Sequence, residues 1–282
     1  MRIAFQGEPG AYSERAAVEY LPSAETRGFE AFESVFEALE RGDVDRAILP
    51  IENSLAGSIH RNYDLLLRHA LPIVGEVSLR IRHHLLALPG VRLGEVRRVI
   101  SHPQALAQCE HHLRDLGIPA EAAYDTAGAA RRVRDEGLRD TAAIASRRAA
   151  EVYGLEVLAE DVEDDPHNFT RFIILARDAE PLRAGVAART SLVFSLRDGP
   201  GMLFKALSVF ALRELDLTKI ESRPLRGAGG LRLPPESEQR WRYLFYLDVA
   251  AAHGDAALQN ALRHLEEIAP FVRLLGSYPR TA

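Results

Sequence analysis

The segment "RDAEPLRAGVAAR" (residues 177–189) divides the chain. It is dense in Ala, Gly, Pro and charge, breaks the apolar periodicity on either side, and reads as a linker. Upstream, strand-like runs fall at 3–5, 47–51, 73–79, 84–88, 98–101, 120–123, 142–145, 156–159 and 172–176. Amphipathic helical patterns separate them at 13–20, 32–41, 58–69, 103–116, 126–136 and 146–152. Such alternation predicts an α/β domain with a largely parallel sheet. Downstream the grammar changes. Strand patterns at 190–196, 217–224, 243–250 and 272–277 combine with helical patterns at 202–214 and 255–268. The order is βαββαβ, a ferredoxin-like small domain. The stretch "GAGGLRLPPESEQ" (residues 227–239) falls in its middle hairpin and reads as a solvated loop.

With 282 residues and 47% hydrophobic content the chain can bury two cores. Its net charge of −5 does not suit nucleic acid or an anionic membrane surface. A single cysteine, Cys109, excludes an internal disulfide and fits a reducing compartment. The sequence shows no secretory apolar segment and no run long enough to span a bilayer, so a cytoplasmic protein is expected. No solenoid repeat or heptad run is present.

Several polar clusters follow a strand and open a helix. "FQGEPGAYSE" carries Ser13 as a candidate cap, and "PIENSLAGSIHRN" carries Asn53, Ser54 and Ser58. "SHPQALAQC" has Pro103 at a plausible first helical position with Gln104 after it; Thr126 opens "DTAGAARRV" and Ser146 lies before another helix. Singly, such residues are ordinary helix caps. Together they suggest helix N-termini converging beyond the carboxyl ends of strands, a site for an anionic small molecule. No Gly-Lys-Ser/Thr phosphate loop or Gly-x-Gly-x-x-Gly fingerprint occurs, so a nucleotide cofactor is not indicated.

The adjacent histidines of "RHH" (82–84) and "EHH" (110–112) lack the i, i+4 spacing of a helical zinc site, and "EDVEDDPHN" lacks a calcium-loop pattern. The histidines read as surface or packing residues, and the acidic stretch as a solvated loop. No metal site is expected. Cys109 falls mid-helix without an activating neighbour and reads as a structural thiol.

In "DDPHNFTRFIILAR" (residues 164–177), Asn168-Phe169-Thr170-Arg171 leads into a buried strand. Phe169 and Phe172 suggest an apolar pocket wall. There Arg171 would meet an anion, since guanidinium pairs with carboxylate in bidentate fashion, and Thr170 would present a hydroxyl beside it. The arrangement positions a substrate without a strong base.

These motifs, in this order, resemble the prephenate dehydratase family: "FQGEPGAYSE", "PIENSLAGSI", "SHPQALAQC", "DTAGAA" and "NFTRF", then "DLTKIESRP" in the second domain. The resemblance implies a catalytic domain at 1–180 with a periplasmic-binding-protein-like fold of two lobes. One lobe comprises 1–78 with 166–180, the other 79–165, and the active site lies between them. It implies decarboxylating dehydration of prephenate to phenylpyruvate in L-phenylalanine biosynthesis, with no cofactor. Thr170, Arg171 and Phe172 match the catalytic Thr-Arg-Phe motif. Asn53, Ser54, Gln104, Thr126 and Ser13 would contact substrate. Residues 188–280 resemble an ACT regulatory domain that binds L-phenylalanine. Its effector site would use Gly199, Gly201, Met202, Leu203, Glu221, Ser222 and Arg223, and its pairing would give a homodimer or homotetramer. Where many members have Gly-Ala-Leu-Val, this chain has Gly201-Met202-Leu203-Phe204.

The nearest alternative is arogenate dehydratase, the same chemistry on the aminated substrate. "NYDLLLRHALPIVGEV" and "YLFYLDV" are similar to plant-type members that include arogenate users. The other alternative is a non-catalytic small-molecule-binding protein. A strand at residue 1 in place of a helical extension implies a dehydratase without a fused chorismate mutase.

Overall fold

The computed structural model describes residues 1–183, 185–224 and 243–281, and the loop expected at 227–239 lies outside them. The chain forms two compact units, residues 1–59 with 77–172 and residues 60–76 with 173–282.

The first unit contains two sheets. One holds β1 (Arg2–Gln6), β2 (Glu25–Phe29), β3 (Arg46–Asn53) and the short β4 (Gly57–Ser58). Here β1 pairs in parallel with both β2 and β3, and β4 folds back antiparallel on the end of β3. Helices α1 (Tyr12–Tyr20) and α2 (Phe32–Arg41) connect these strands. The face of α2 carrying Val35, Phe36, Ala38 and Leu39 is fully buried. The edge strand β2 escaped the sequence reading because "ETRGF" is mostly exposed, and neither its charges nor its Gly give an apolar alternation.

After α3 (His60–Arg68) and β5 (Ile73–Arg80), the second sheet is built from β6 (His84–Ala87), β7 (Arg98–Ser101), β8 (Ala120–Ala122), β9 (Thr141–Ala145) and β10 (Glu156–Ala159). Their order is β10-β6-β9-β7-β8. Strand β7 runs parallel to β8 and β9, and β6 runs antiparallel to β9 and β10. The alternation of strand side chains divides β9 between two cores. Ala142 and Ile144 pack with Leu85, Val99 and Cys109, while Ala143 and Ala145 pack with Leu86, Ile100 and Ala130. Helices α4 (Pro103–Ala107), α5 (Glu110–Leu116), α6 (Thr126–Asp135) and α7 (Arg147–Tyr153) cover this sheet. The single helix expected over 103–116 is therefore two. Cys109 sits at the break as the N-cap of α5, not mid-helix, and is fully buried. Asp164 accepts from the His111 and His112 amides, and the Glu163 side chain is only 2% exposed. The acidic stretch is a largely exposed loop, as expected, with Val162 and Asn168 buried beneath it.

The return strand β11 (Phe169–Leu175) lies beside β3. It includes the entrance residues that the sequence placed before it.

In the second unit, β12 (Ala188–Ser195), α8 (Met202–Ala211), β13 (Leu217–Pro224), β14 (Tyr243–Val249), α9 (Ala256–Ile268) and β15 (Phe271–Pro279) realise the βαββαβ order. The strands lie in the order β13-β14-β12-β15, every pair antiparallel. Leu192, Phe194, Phe210, Leu247 and Leu265 form its core. Helix α3 packs on β13 and β14. Asp64 accepts from Arg223 at 3.1 Å, Tyr63 meets Tyr246 edge-on at 4.7 Å, and His60 lies 3.2 Å from Glu221. Gly276 pairs with Ile73 of β5, where a Cβ would overlap the Ile73 carbonyl oxygen.

Among the described residues, no helix is long and apolar enough to cross a membrane, and no cluster of His, Cys, Asp or Glu could hold a metal ion.

Candidate active site

The alternation of β11 decides which motif residues can share a site. Thr170 and Phe172 are buried on one face, while Phe169 and Arg171 lie on the other. The neighbouring strand β3 ends at Asn53, whose Nδ2 donates to Thr170 Oγ1 at 2.9 Å. Asn53 is itself held from the chain that follows it. Its Oδ1 accepts from the amides of Leu55 (3.1 Å) and Ala56 (2.9 Å).

Thr170, Phe172 and Asn53 border a cavity of about 310 Å³, within the size range of small-molecule sites. Ser13, Gln104 and Thr126 also line it, so six of the eight catalytic and substrate residues expected from the sequence meet here. Each of the last three sits in the first turn of a helix. Ser13 lies in α1, whose N-cap is Ala11, so Ser13 is not the cap the sequence suggested. Gln104 follows Pro103 at the start of α4, where His102 Nδ1 accepts from the Gln104 amide at 3.2 Å. Thr126 opens α6 behind the Asp125 cap. Amides in a first turn have no partner within the helix, and the helix dipole makes that end attractive to anions.

The lining contains no Lys, Arg, Asp or Glu. A carboxylate entering there would face hydroxyls, side-chain amides, the rings of His83 and His102, and helix ends. Two of the expected residues lie outside this lining. The Arg171 Nε lies 3.9 Å from Glu52 Oε2, and Arg171 is absent from the lining because strand alternation turns it away from Thr170. Ser54 is absent too. Its hydroxyl donates to the His167 carbonyl (2.8 Å) and accepts from the Phe169 amide (2.9 Å), tying together the chain around Asn53 and Thr170. Phe169 is 40% exposed and also lies outside this lining.

The sequence reading did not select Tyr12, His83, Gln108 and His102, which also line the cavity. Gln108 was read as mid-helix, whereas it is the C-cap of α4, where the chain turns. Burial holds His83 below its ordinary pKa, against smaller opposing effects of the Gln108 hydrogen bond and the nearby Glu163. Tyr12 is pushed well above its ordinary value, chiefly by burial. Ser101 and Ser146 serve the fold, donating to the carbonyls of Ile144 and Gly10 at 2.6 Å each.

A larger hollow of about 920 Å³ lies beside Gly7–Pro9, Gly28–Glu30 and α6, spanned by a 2.8 Å ion pair between Glu8 and Arg131. It holds none of the catalytic or substrate residues singled out by sequence, and we place the site in the smaller cavity.

In the second unit, Gly199, Gly201, Met202 and Leu203 form the turn from β12 into α8, with Gly201 at φ +74°. Strand β13 alternates. Glu221 and Arg223 face His60 and Asp64 of α3, while Ser222 is exposed on the other side.

Comparison with known proteins places this geometry in context. Residues 3–180 match the family described as prephenate dehydratase. The chain is 57% identical over 99% of its length, and 73% of the relative's, to "Arogenate dehydratase/prephenate dehydratase 2, chloroplastic" of Arabidopsis thaliana. Among solved structures, it is similar to the prephenate dehydratase of Arthrobacter aurescens in complex with L-Phe (TM-score 0.87, 32% identity, covering 99% of this chain and 90% of that one). It is also similar to a protein described as "GqqA- a novel type of quorum quenching acylases" (TM-score 0.88, 37% identity, covering 100% and 98%).

Proposed function

Since the chain belongs to the prephenate dehydratase family of carbon–oxygen lyases, we propose that it converts arogenate to phenylalanine and accepts prephenate as a second substrate. The hydrogen bond from Asn53 to Thr170 carries the mechanism. The Asn53 amide NH₂ can only donate, so Thr170 Oγ1 accepts there and its own proton is available to another acceptor. In the cavity that acceptor is the substrate's 4-hydroxyl.

The reaction breaks two bonds. The ring carboxylate leaves as CO₂, its C–C electron pair enters the ring, and the C–O pair departs with the hydroxyl as hydroxide. Aromatisation drives both. Thr170 stabilises the charge developing on the leaving oxygen, and solvent protonates the hydroxide after release. Ser13, Gln104 and Thr126, with the starts of α1, α4 and α6, hold the carboxylates without a formal positive charge. Phe172 keeps the pocket dry. Ser54 and Arg171 act indirectly, Arg171 by steadying Glu52, the residue before Asn53 on β3.

Relatives sharing 50–57% identity over 99% of this chain are named arogenate dehydratases, some with prephenate dehydratase in the same name. Solved prephenate dehydratases are similar at 24–32% identity. This contrast favours arogenate. We assign catalysis to residues 1–180 (lobes 1–78 with 166–180, and 79–165) and regulation by L-phenylalanine to 188–280. Gly199, Gly201, Met202 and Leu203 would meet Glu221, Ser222 and Arg223 across paired copies of a homodimer or homotetramer.

The test is turnover of purified protein on arogenate and prephenate, each with and without phenylalanine, with an acyl-amide hydrolysis control. Faster turnover of arogenate supports the reading. Preference for prephenate reverses the substrate order, and failure on both removes the dehydratase assignment.

A further inference from the structure

We propose that His83 is a positioning residue whose Nε2–H fixes the Gln108 side-chain amide so that its NH₂ faces bound substrate. The proposal rests on the dehydratase reading for its kinetic consequence and on hydrogen-bond directions for its geometry.

Those directions follow from the backbone. Two main-chain amides, of Leu55 and Ala56, point at one side-chain atom of Asn53, so that atom must be Oδ1 and the other must be the donor Nδ2. Nδ2 lies 2.7 Å from Asn168, which must present Oδ1 to it. The other terminal atom of Asn168 is then a donor, and it lies 3.0 Å from Gln108. The Gln108 atom at that contact is therefore Oε1. The same atom lies 3.0 Å from His83 Nε2, and two acceptors cannot share a contact, so Nε2 carries a proton. Nδ1 lies 2.8 Å from the Tyr12 hydroxyl, whose single proton is also called for by the Arg82 carbonyl at 2.7 Å, so the proton on Nε2 is set from the Gln108 side and not by Tyr12.

Of the five residues in this relay, Asn53, Gln108, His83 and Tyr12 border the cavity, and Asn168 is fully buried. Both Gln108 side-chain hydrogen bonds fall on Oε1. Its NH₂ thus remains for a ligand oxygen, such as a carboxylate or hydroxyl. His83 is anchored to do this. Its ring is buried, its main-chain amide donates to Glu163 at 2.9 Å, and its carbonyl accepts from Val162 at 2.8 Å. The reversed tautomer would set Nε2 against Oε1, acceptor to acceptor. Gln108 would then turn and present a carbonyl to an anionic substrate.

The experiment has a spectroscopic and a kinetic arm, on the full chain. Long-range ¹H–¹⁵N spectra of histidine-labelled protein distinguish the two neutral tautomers, with His83 signals assigned by their loss in His83→Gln. The expected result is Nε2–H. An Nδ1–H ring in the unaltered protein overturns the proposal. For kinetics, His83→Phe and Gln108→Ala are measured singly and together on the preferred substrate. Each is expected to raise KM about tenfold with kcat within about threefold, the scale of one hydrogen bond. The double variant should be no worse than Gln108→Ala, since His83 acts through Gln108. Multiplicative losses of about 100-fold would overturn it. If His83→Phe does not fold, His83→Gln, which retains a donor, should keep KM within about threefold, and a tenfold rise there counts against the proposal. Absence of turnover in the unaltered protein refutes the dehydratase reading alone, and the tautomer then decides the inference.

Discussion

Replacing Thr170 with valine tests the centre of the mechanism. The exchange keeps the β-branched shape that suits β11 and removes the hydroxyl. Structurally it is mild. Asn53 Nδ2 retains the Asn168 Oδ1 contact at 2.7 Å and the Phe169 carbonyl at 3.2 Å, so no buried donor is left without a partner. The stability loss should be about 1 kcal/mol, one net hydrogen bond. For units of this size that lowers Tm by roughly 2–4 °C. The kinetic effect should be much larger. A donor aimed at charge that develops in the transition state contributes about 100- to 1,000-fold to kcat. Thermal unfolding followed by far-UV circular dichroism, beside initial rates on arogenate and prephenate, separates the two. A Thr170→Val protein with near-parental Tm and kcat reduced about 100-fold or more agrees with the mechanism. The same Tm with kcat within threefold of the parent refutes it, because Thr170 would then not touch the leaving group. Thr170→Ser, which keeps the hydroxyl, should retain most of the activity.

Arg171→Met and Glu52→Gln should each cost about 1–2 kcal/mol, less than a fully buried pair because Glu52 is 36% exposed. The double variant should lose no more than the larger single one, which a denaturant melt of all four proteins would show. Burial holds His83 and His84 below the ordinary value of 6.5, so the unfolded chain binds protons before the folded one does as pH falls. Stability present above about 6.5 is therefore lost as pH drops toward the folded values, by at most about 1.4 kcal/mol per pH unit per histidine. Tm measured from pH 7.5 down to 5.5 should decline less steeply in the His83→Gln/His84→Gln variant. Cys109 is fully buried, and burial, aided by Asp164 and Glu163, raises its thiol pKa. A colourimetric thiol reagent at pH 8 should react only as fast as the protein unfolds, and stoichiometric labelling within seconds would contradict that burial.

How much of this was legible in the sequence depended on what local pattern can encode. The βαββαβ order followed from periodicity because its strands and helices carry strong apolar alternation. β2 did not, since an edge strand needs little apolar surface. Helix starts were visible through Pro103, Asp125 and Ser146, which bear the chemistry of a first turn or cap. Through them Gln104 and Thr126 were found. Side-chain direction was less accessible. Thr170 and Arg171 are neighbours in sequence and face opposite sides of one strand, so a motif that names both cannot say which one meets substrate. Gln108 lay hidden behind a helix break whose only sign is Cys109 at a non-helical φ of −123°. His83 depends on Gln108 and on the buried Asn168, distant in sequence, which no periodicity connects.

The turn after β1 reaches the other sheet's helices. Gly10, at φ +89°, lies so near Ala149 that a Cβ would come within 2.7 Å of that residue's Cα. Ser146 donates to the Gly10 carbonyl at 2.6 Å, Tyr153 donates to that of Pro9 at 2.7 Å, and the Tyr12 hydroxyl lies 2.7 Å from the Arg82 carbonyl. These straps hold the two sheets of the first unit together beside the cavity. A solute-capturing protein closes around its cargo and loses conformational entropy at every capture. Here part of that ordering is built into the fold, which lowers the entropy each catalytic cycle must give up.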